Sequence, residues 1–229
     1  MNENSRRRTE IDLIRAVATI GMLVFHAVFD LDFFGIIHVD MFQGGFLVLA
    51  RVVQLGFMLT TGMTLVLAHQ KHQRLASRFT HALKLLFWAG LVTVTTFLLF
   101  GDQAIWFGVL HFYAVAVLLG LPFLGFKKWN LLFGALFLVL TYFLKDVSLG
   151  EGALSYVLGL ASSRPALDYF PLLPWFGVFL FGMGLADFQM GAVNWPESWK
   201  RFLAAFTKKG LWIYLIHQPL FVVVIKLLS

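Results

Sequence analysis

The chain has 229 residues, of which 59% are hydrophobic and only 13% charged, and its mean hydropathy is +0.81. A soluble domain of this length would need far more polar surface, so the composition points to an integral membrane protein. Cysteine is absent, which excludes disulfide scaffolds, thiolate metal sites and a cysteine nucleophile. The net charge of +6 comes from basic residues in short loops without a nucleic-acid-binding motif; it reads as a topology signal and an attraction to anionic membrane lipid, not as a nucleic-acid surface.

In chain order, apolar runs bounded by charge, Gly or Pro fall at about 11–36, 46–68, 82–100, 104–125, 130–145, 170–188 and 210–228. The expectation is therefore an all-α polytopic membrane bundle of about seven transmembrane helices, making one domain over residues 1–229. The start, "MNENSRRRTE", is basic like a signal peptide. The apolar segment behind it runs past about 20 residues with no small-residue cleavage site, so an uncleaved first span is expected.

Lys and Arg concentrate on cytoplasmic loops. A cytoplasmic N-terminus puts Arg6, Arg7, Arg8, Lys71, Arg74, Arg78, Lys84, Lys127, Lys128, Lys200, Arg201, Lys208 and Lys209 inside. Arg51, Lys145, Arg164 and Lys226 are left outside, with the C-terminus. Two connections stand out. Lys145 to Tyr169 is a long outer excursion rich in Gly and Ser, suited to a short interfacial or re-entrant segment. "NWPESWKRFLAAFTKK" is either a plain connector or an amphipathic helix lying on the inner membrane surface. Neither an internal repeat nor a low-complexity tract is visible.

The first span, "IRAVATIGMLVFHAVFD", carries unusual cargo. At about 100° per residue, with Asp12 at zero, Arg15 falls near 300°, Thr19 near 340°, His26 near 320° and Asp30 back at about zero. A central Arg or Asp costs about 2.5–3.5 kcal/mol to insert, so this stripe is expected to face the bundle interior. Arg15 and His26 are about 16 Å apart along the axis, a span that one long ligand could bridge. Asp30, a turn beyond His26, is spaced to accept a hydrogen bond from the imidazole and fix its tautomer. The bland alternative is that Arg15 snorkels to the interface and His26 bonds a neighbouring helix.

The residues "EIDLIRAVATIGMLVFHAVFDLDFF" resemble the opening of the heparan-alpha-glucosaminide N-acetyltransferase catalytic-domain family. "FMLTTGMTLVLA", "IWFGVLHFYAVAVLL", "LDYFPLLPWFGVFLFGMGLA" and "GLWIYLIHQPLF" are similar to its later blocks, in the same order. The first block also resembles the acyltransferase-3 group, whose arginine, ten residues and histidine are matched by Arg15 and His26. One departure is Ile14-Arg15-Ala16, where the family usually has Leu-Arg-Gly. The resemblance implies transfer of an acetyl group from cytosolic acetyl-CoA to an acceptor across the membrane, such as the amine or hydroxyl of a sugar or glycan. It also implies a bacterial cytoplasmic membrane location and suggests a homodimer.

On that reading Arg15, with Asp12 and Thr19 on its stripe and the basic inner rim around it, binds the donor phosphates. His26 either deprotonates the acceptor or carries the acetyl group itself, with Asp30 orienting it. His111 is expected at a similar depth, as a second catalytic group or as a helix-bridging hydrogen bond. Arg51, Asp168, Tyr169 and Trp175 are the acceptor-side candidates; Arg51 could instead pair with Asp30 or Asp32, and Asp168 and Tyr169 could instead anchor their loop. His217, followed by Gln218 and Pro219, is either a polar knot in the last span or a further catalytic group. His38, His69, His72 and His81 lie in loops or at span ends. No His-Glu-x-x-His or similar pairing supports a metal. The competing function is a transporter or flippase of a small polar solute, and a third is a non-catalytic partner in which the stripe only joins helices.

Overall fold

The long apolar runs become helices because backbone amides and carbonyls in a bilayer must be satisfied within the segment itself. The computed structural model describes residues 9–71, 74–162, 168–188 and 194–228; Arg6, Arg7, Arg8, His72 and Arg164 lie outside them. The described residues form nine α-helices and no strand: α1 Thr9–Phe33, α2 Gly44–Gln70, α3 Leu75–Phe100, α4 Val109–Gly120, α5 Trp129–Leu144, α6 Ala153–Leu158, α7 Leu172–Leu185, α8 Glu197–Lys208 and α9 Gly210–Leu228. Four of these, α1, α2, α3 and α9, are long and apolar enough to cross a membrane by themselves. So is α4 together with the 3₁₀ turn Leu121–Phe126 that follows it. The shorter apolar helices α5 and α7 fill the two remaining expected positions, giving an all-α polytopic membrane bundle.

The element bounds depart from the apolar runs where a run and a helix obey different rules. Hydropathy begins the third span at about residue 82, but α3 starts at Leu75 because the polar turn before the run is still helical. Arg78, counted with the solvated inner charges, is therefore inside a helix, where it is 4% exposed and its Nη1 donates to the Leu65 carbonyl at 3.1 Å. At the start of the fourth run, residues 104–108 form a strap instead of helix. The strap is sewn to α3 by Thr93, which donates to the Ile105 carbonyl at 2.6 Å, and by Thr96, which accepts the Ile105 amide at 3.0 Å.

By their internal contacts the residues group into two compact units, 1–60 with 189–229, and 61–188. In the first, α1 packs against α8 and α9, and its Gly21 and Ala18 approach Val53 and Gly56 in the opening half of α2. Val17, Ile20 and Val24, on the opposite side of α1, are exposed as a lipid-facing surface requires.

In the second unit α5 lies along α7 and α3 along α4. Lipid tails are as apolar as Leu, so helices associate by close packing and small residues mark the contacts. A Cβ on Gly134 of α5 would lie 2.7 Å from the Gly177 carbonyl oxygen of α7, and one on Gly177 would lie 3.0 Å from that of Gly134. Only glycines allow this backbone approach. Beside it Phe179, Leu180 and Met183 of α7 and Phe112 of α4 are fully buried. The long connection between α5 and α7 holds the short helix α6, ended by Gly159 in the left-handed region at φ +89°.

Candidate functional site

On α1 the helical pitch brings the polar residues to one side, and that side is covered. Asp12, Thr19 and Asp30 are 5%, 4% and 2% exposed, while Arg15 and His26 are half-buried. At the start of the stripe the Thr207 hydroxyl of α8 lies 2.9 Å from Asp12 Oδ1 and the same distance from the Leu203 carbonyl oxygen, two acceptors for one hydrogen. The Thr19 hydroxyl donates to the Arg15 carbonyl one turn back, at 2.8 Å.

At the other end α9 supplies the partners. His26 and His217 lie with ring centroids 4.8 Å apart and planes at 72°. The His26 Nδ1 is 2.9 Å from the Met22 carbonyl oxygen. A carbonyl only accepts, so Nδ1 carries the hydrogen and the lone pair of the neutral ring resides on Nε2. His217 repeats the arrangement, its Nδ1 2.6 Å from the Tyr214 carbonyl oxygen and 3.2 Å from that of Ile213. Next to it, Gln218 Nε2 donates to Asp30 Oδ1 at 2.6 Å.

The sequence suggested that Asp30 orients His26. Instead the imidazole is oriented by its own helix. Side chains on a helix lean toward its N-terminus, so the ring folds back onto the carbonyl four residues earlier and away from Asp30, whose carboxyl is taken by Gln218. Asp30 Oδ1 accepts from Gln218 and Asp32 Oδ1 from the Val39 amide at 2.9 Å, while Arg51 Nη1 donates to Gln54 Oε1 at 3.0 Å.

Three buried polar atoms in this cluster have no hydrogen-bond partner: Asp30 Oδ2, Gln218 Oε1 and His217 Nε2. The first two accept by their nature, and the third accepts because Nδ1 holds the hydrogen. Around His26 the cluster therefore offers a surplus of acceptors and lacks donors, each unmet acceptor costing about 1–3 kcal/mol when buried.

The second unit assembles a different constellation. The Gly108 amide donates to His111 Nδ1 at 3.3 Å, which leaves the hydrogen of the neutral ring on Nε2, 3.4 Å from the Thr93 hydroxyl oxygen. Both ring nitrogens are thus engaged. Asp168 Oδ2 accepts the Val109 amide at 3.2 Å. His111 and Asp168 therefore meet at the N-terminus of α4, where otherwise unpaired amides and the helix dipole favour an acceptor or a negative charge. A Cβ on Gly108 would lie 2.7 Å from Asp168 Oδ2, so a larger residue there would push the carboxyl aside.

Tyr169 donates its hydroxyl to the Tyr156 carbonyl, and the two rings lie 4.5 Å apart. Burial pushes the Tyr156 phenol up to about 12, helped by the neighbouring Tyr169 and Asp168. Trp175 is 7% exposed with its ring 5.6 Å from that of Phe170. Among the described residues no group of three or more His, Cys, Asp or Glu side chains could hold a metal ion.

His217 was noticeable in the sequence as a histidine in a span followed by Gln and Pro, but its apposition to His26 was not, because nothing in either segment fixes which helix meets which. The pairing of Asp12 with Thr207 had no signal at all.

Span-length helices with exposed apolar surfaces, two of which, α1 and α9, hold a histidine-carboxyl cluster between them, define an integral membrane protein. The family model described as heparan-alpha-glucosaminide N-acetyltransferase, catalytic, matches residues 7–219, and the chain belongs to that family of membrane acetyltransferases. No curated protein and no solved structure gives a significant match.

Proposed function

We propose that the protein transfers an acetyl group from acetyl-CoA to the amine or hydroxyl of a sugar or glycan, with His26 as the reacting group. The observation that carries this reading is the surplus of buried acceptors around His26. A sugar amine or hydroxyl brings N–H and O–H donors, the complement that Asp30 Oδ2, Gln218 Oε1 and His217 Nε2 lack. Family membership supports the acetyl group as what is moved.

In the reaction the acceptor nitrogen or oxygen attacks the thioester carbonyl, its bond to the acyl carbon forms and the carbon–sulfur bond breaks. The proton leaving the acceptor goes to His26 Nε2, whose lone pair is fixed by the Met22 carbonyl on Nδ1, and from there to the departing thiolate. A two-step route through acetyl-His26 uses the same lone pair as nucleophile. Arg15, half-buried on the same stripe, is assigned to the donor phosphates, with Asp12 and Thr19 shaping the helix beside it. His111 and Asp168 are assigned to holding the start of α4. Arg51, Tyr169 and Trp175 stay on the acceptor side of the proposal.

The match over residues 7–219 spans both compact units, which supports one functional domain over 1–229. The basic inner loops support a cytoplasmic N-terminus in a bacterial inner membrane.

The test is turnover of radiolabelled acetyl-CoA with a panel of amino sugars by the protein in nanodiscs. Wild type is expected to produce acetylated sugar. His26→Ala is expected to be lower by about 10²–10⁴-fold in kcat, the usual weight of a positioned acid–base group. Folded wild type that neither binds nor consumes acetyl-CoA would overturn the proposal and favour solute transport.

A further inference from the structure

The helix α8 is tethered to the membrane surface by covalent geometry alone. One residue, Lys209, separates its end at Lys208 from the first residue of α9, a helix of span length. Twelve residues at about 1.5 Å each make α8 about 18 Å long, and with Glu197, Lys200, Arg201 and Lys208 along it the helix is neither long nor apolar enough to cross the hydrocarbon.

Its surface has three sectors. At about 100° per residue with Trp199 at zero, Phe202 falls near 300° and Phe206 near 340°; Leu203 and Thr207 fall near 40° and 80°; Lys200, Lys208 and Arg201 occupy about 100–200°. The middle sector is satisfied within the protein: Leu203 is 2% exposed in the unit that packs α8 on α1, and Thr207 bonds Asp12. The aromatic sector is not. Trp199 and Phe202 are 53% and 61% exposed, their rings 6.3 Å apart, beside a shallow depression that they line with Ser198. Phe202 in turn stacks on Phe206, continuing the apolar stripe.

The charged sector sums to net positive. Glu197 is matched by Lys200 at 2.6 Å, which leaves Arg201 and Lys208, with Lys209 at the cap, on the same short segment. Aromatic and aliphatic surface on one side with lysine and arginine on the other is the pattern that seats a helix at the headgroup level of an anionic bilayer.

We propose that α8 is a membrane-surface anchor for anionic lipid, with Trp199, Phe202 and Phe206 inserted below the headgroups and Arg201, Lys208 and Lys209 meeting their phosphates. The inner sector ties that anchor to the first turn of α1 through Leu203 and Thr207. The occupant is the protein's own bilayer, because the single-residue link to α9 brings the headgroups to this face without a second partner having to be recruited.

The lack of cysteine gives a clean test. Phe202→Cys, at an exposed position, is labelled with an environment-sensitive fluorophore, checked by size exclusion and placed in nanodiscs of phosphatidylcholine with or without phosphatidylglycerol. Blue-shifted emission quenched by lipids brominated high on the acyl chain, and little affected by aqueous iodide, is the expected result. A label quenched by iodide and indifferent to brominated lipid overturns the proposal. So does a label shielded only by self-association, seen as energy transfer between labelled copies.

For the charges, Arg201→Gln, Lys208→Gln and Lys209→Gln are each expected to weaken enrichment of phosphatidylglycerol around the protein, by about fivefold per residue removed. Unchanged enrichment in the triple variant refutes the electrostatic half.

Discussion

The bond between Gln218 and Asp30 is the sharpest place to test whether α1 and α9 form the site. Asp30 is 2% exposed, its Oδ1 takes one hydrogen bond from Gln218 Nε2 at 2.6 Å, and its Oδ2 takes none. Gln218→Leu removes the donor and leaves both oxygens of a buried carboxyl without a hydrogen bond. A hydrogen bond to a neutral group contributes about 0.5–1.5 kcal/mol and one to a charged group about 1.5–3 kcal/mol. Because the substitution also strands the buried acceptor, the loss should fall in the upper range, about 2–3 kcal/mol. Asp30→Leu should cost a comparable amount by stranding the amide. The double variant strands neither, so the cycle should show a coupling of about 1–3 kcal/mol. The assay is reversible unfolding of the purified protein in mixed detergent micelles, followed by circular dichroism. Gln218→Leu within about 0.5 kcal/mol of wild type, or strictly additive single variants, would refute the apposition of the two helices at this level.

Other outcomes follow from the same geometry. Gly134→Ala places a methyl 2.7 Å from the Gly177 carbonyl oxygen, backbone that cannot step aside, and should destabilise by about 1–3 kcal/mol in the same unfolding assay. His111→Ala removes the acceptor of the Gly108 amide and should cost about 0.5–2 kcal/mol, as a lost helix cap does, while turnover per folded molecule is unchanged; a loss of kcat with full stability would return His111 to the reaction. The Tyr156 phenol, raised from 10.0 to about 12, favours the neutral form in the folded protein. Its contribution to stability is complete below pH 10 and is lost as pH rises toward 12, so Tyr156→Phe should remove a late-ionising component from the ultraviolet titration and flatten stability in that window.

Much of the fold was legible because bilayer helices follow from hydropathy alone: seven apolar runs, seven apolar helices. The bounds were less so, since a helix continues through a polar turn such as Leu75–His81 that hydropathy scores as loop. The stripe from Asp12 to Asp30 was legible because 3.6 residues per turn places those side chains on one face of any regular helix. The identity of what meets that face was not. Whether His26 would lean on Asp30 or on Met22, and whether His217 would stand against it, depends on rotamers and on helix pairing, which sequence spacing leaves open. His111 shows the opposite limit. Its place in a span was readable, but its capping of Gly108 rests on a strap that delays the start of the helix to Val109, five residues after the apolar run begins.

Pro219 sits inside α9, directly after His217 and Gln218. A proline has no amide hydrogen to give the carbonyl four residues back, Leu215, so the ladder of α9 is already open at the turn that carries both polar side chains. Bending there breaks no further backbone bond. Of the two helices that meet at this cluster, α9 is therefore the one whose bending costs least, while α1, which has no proline, carries His26 on an uninterrupted ladder.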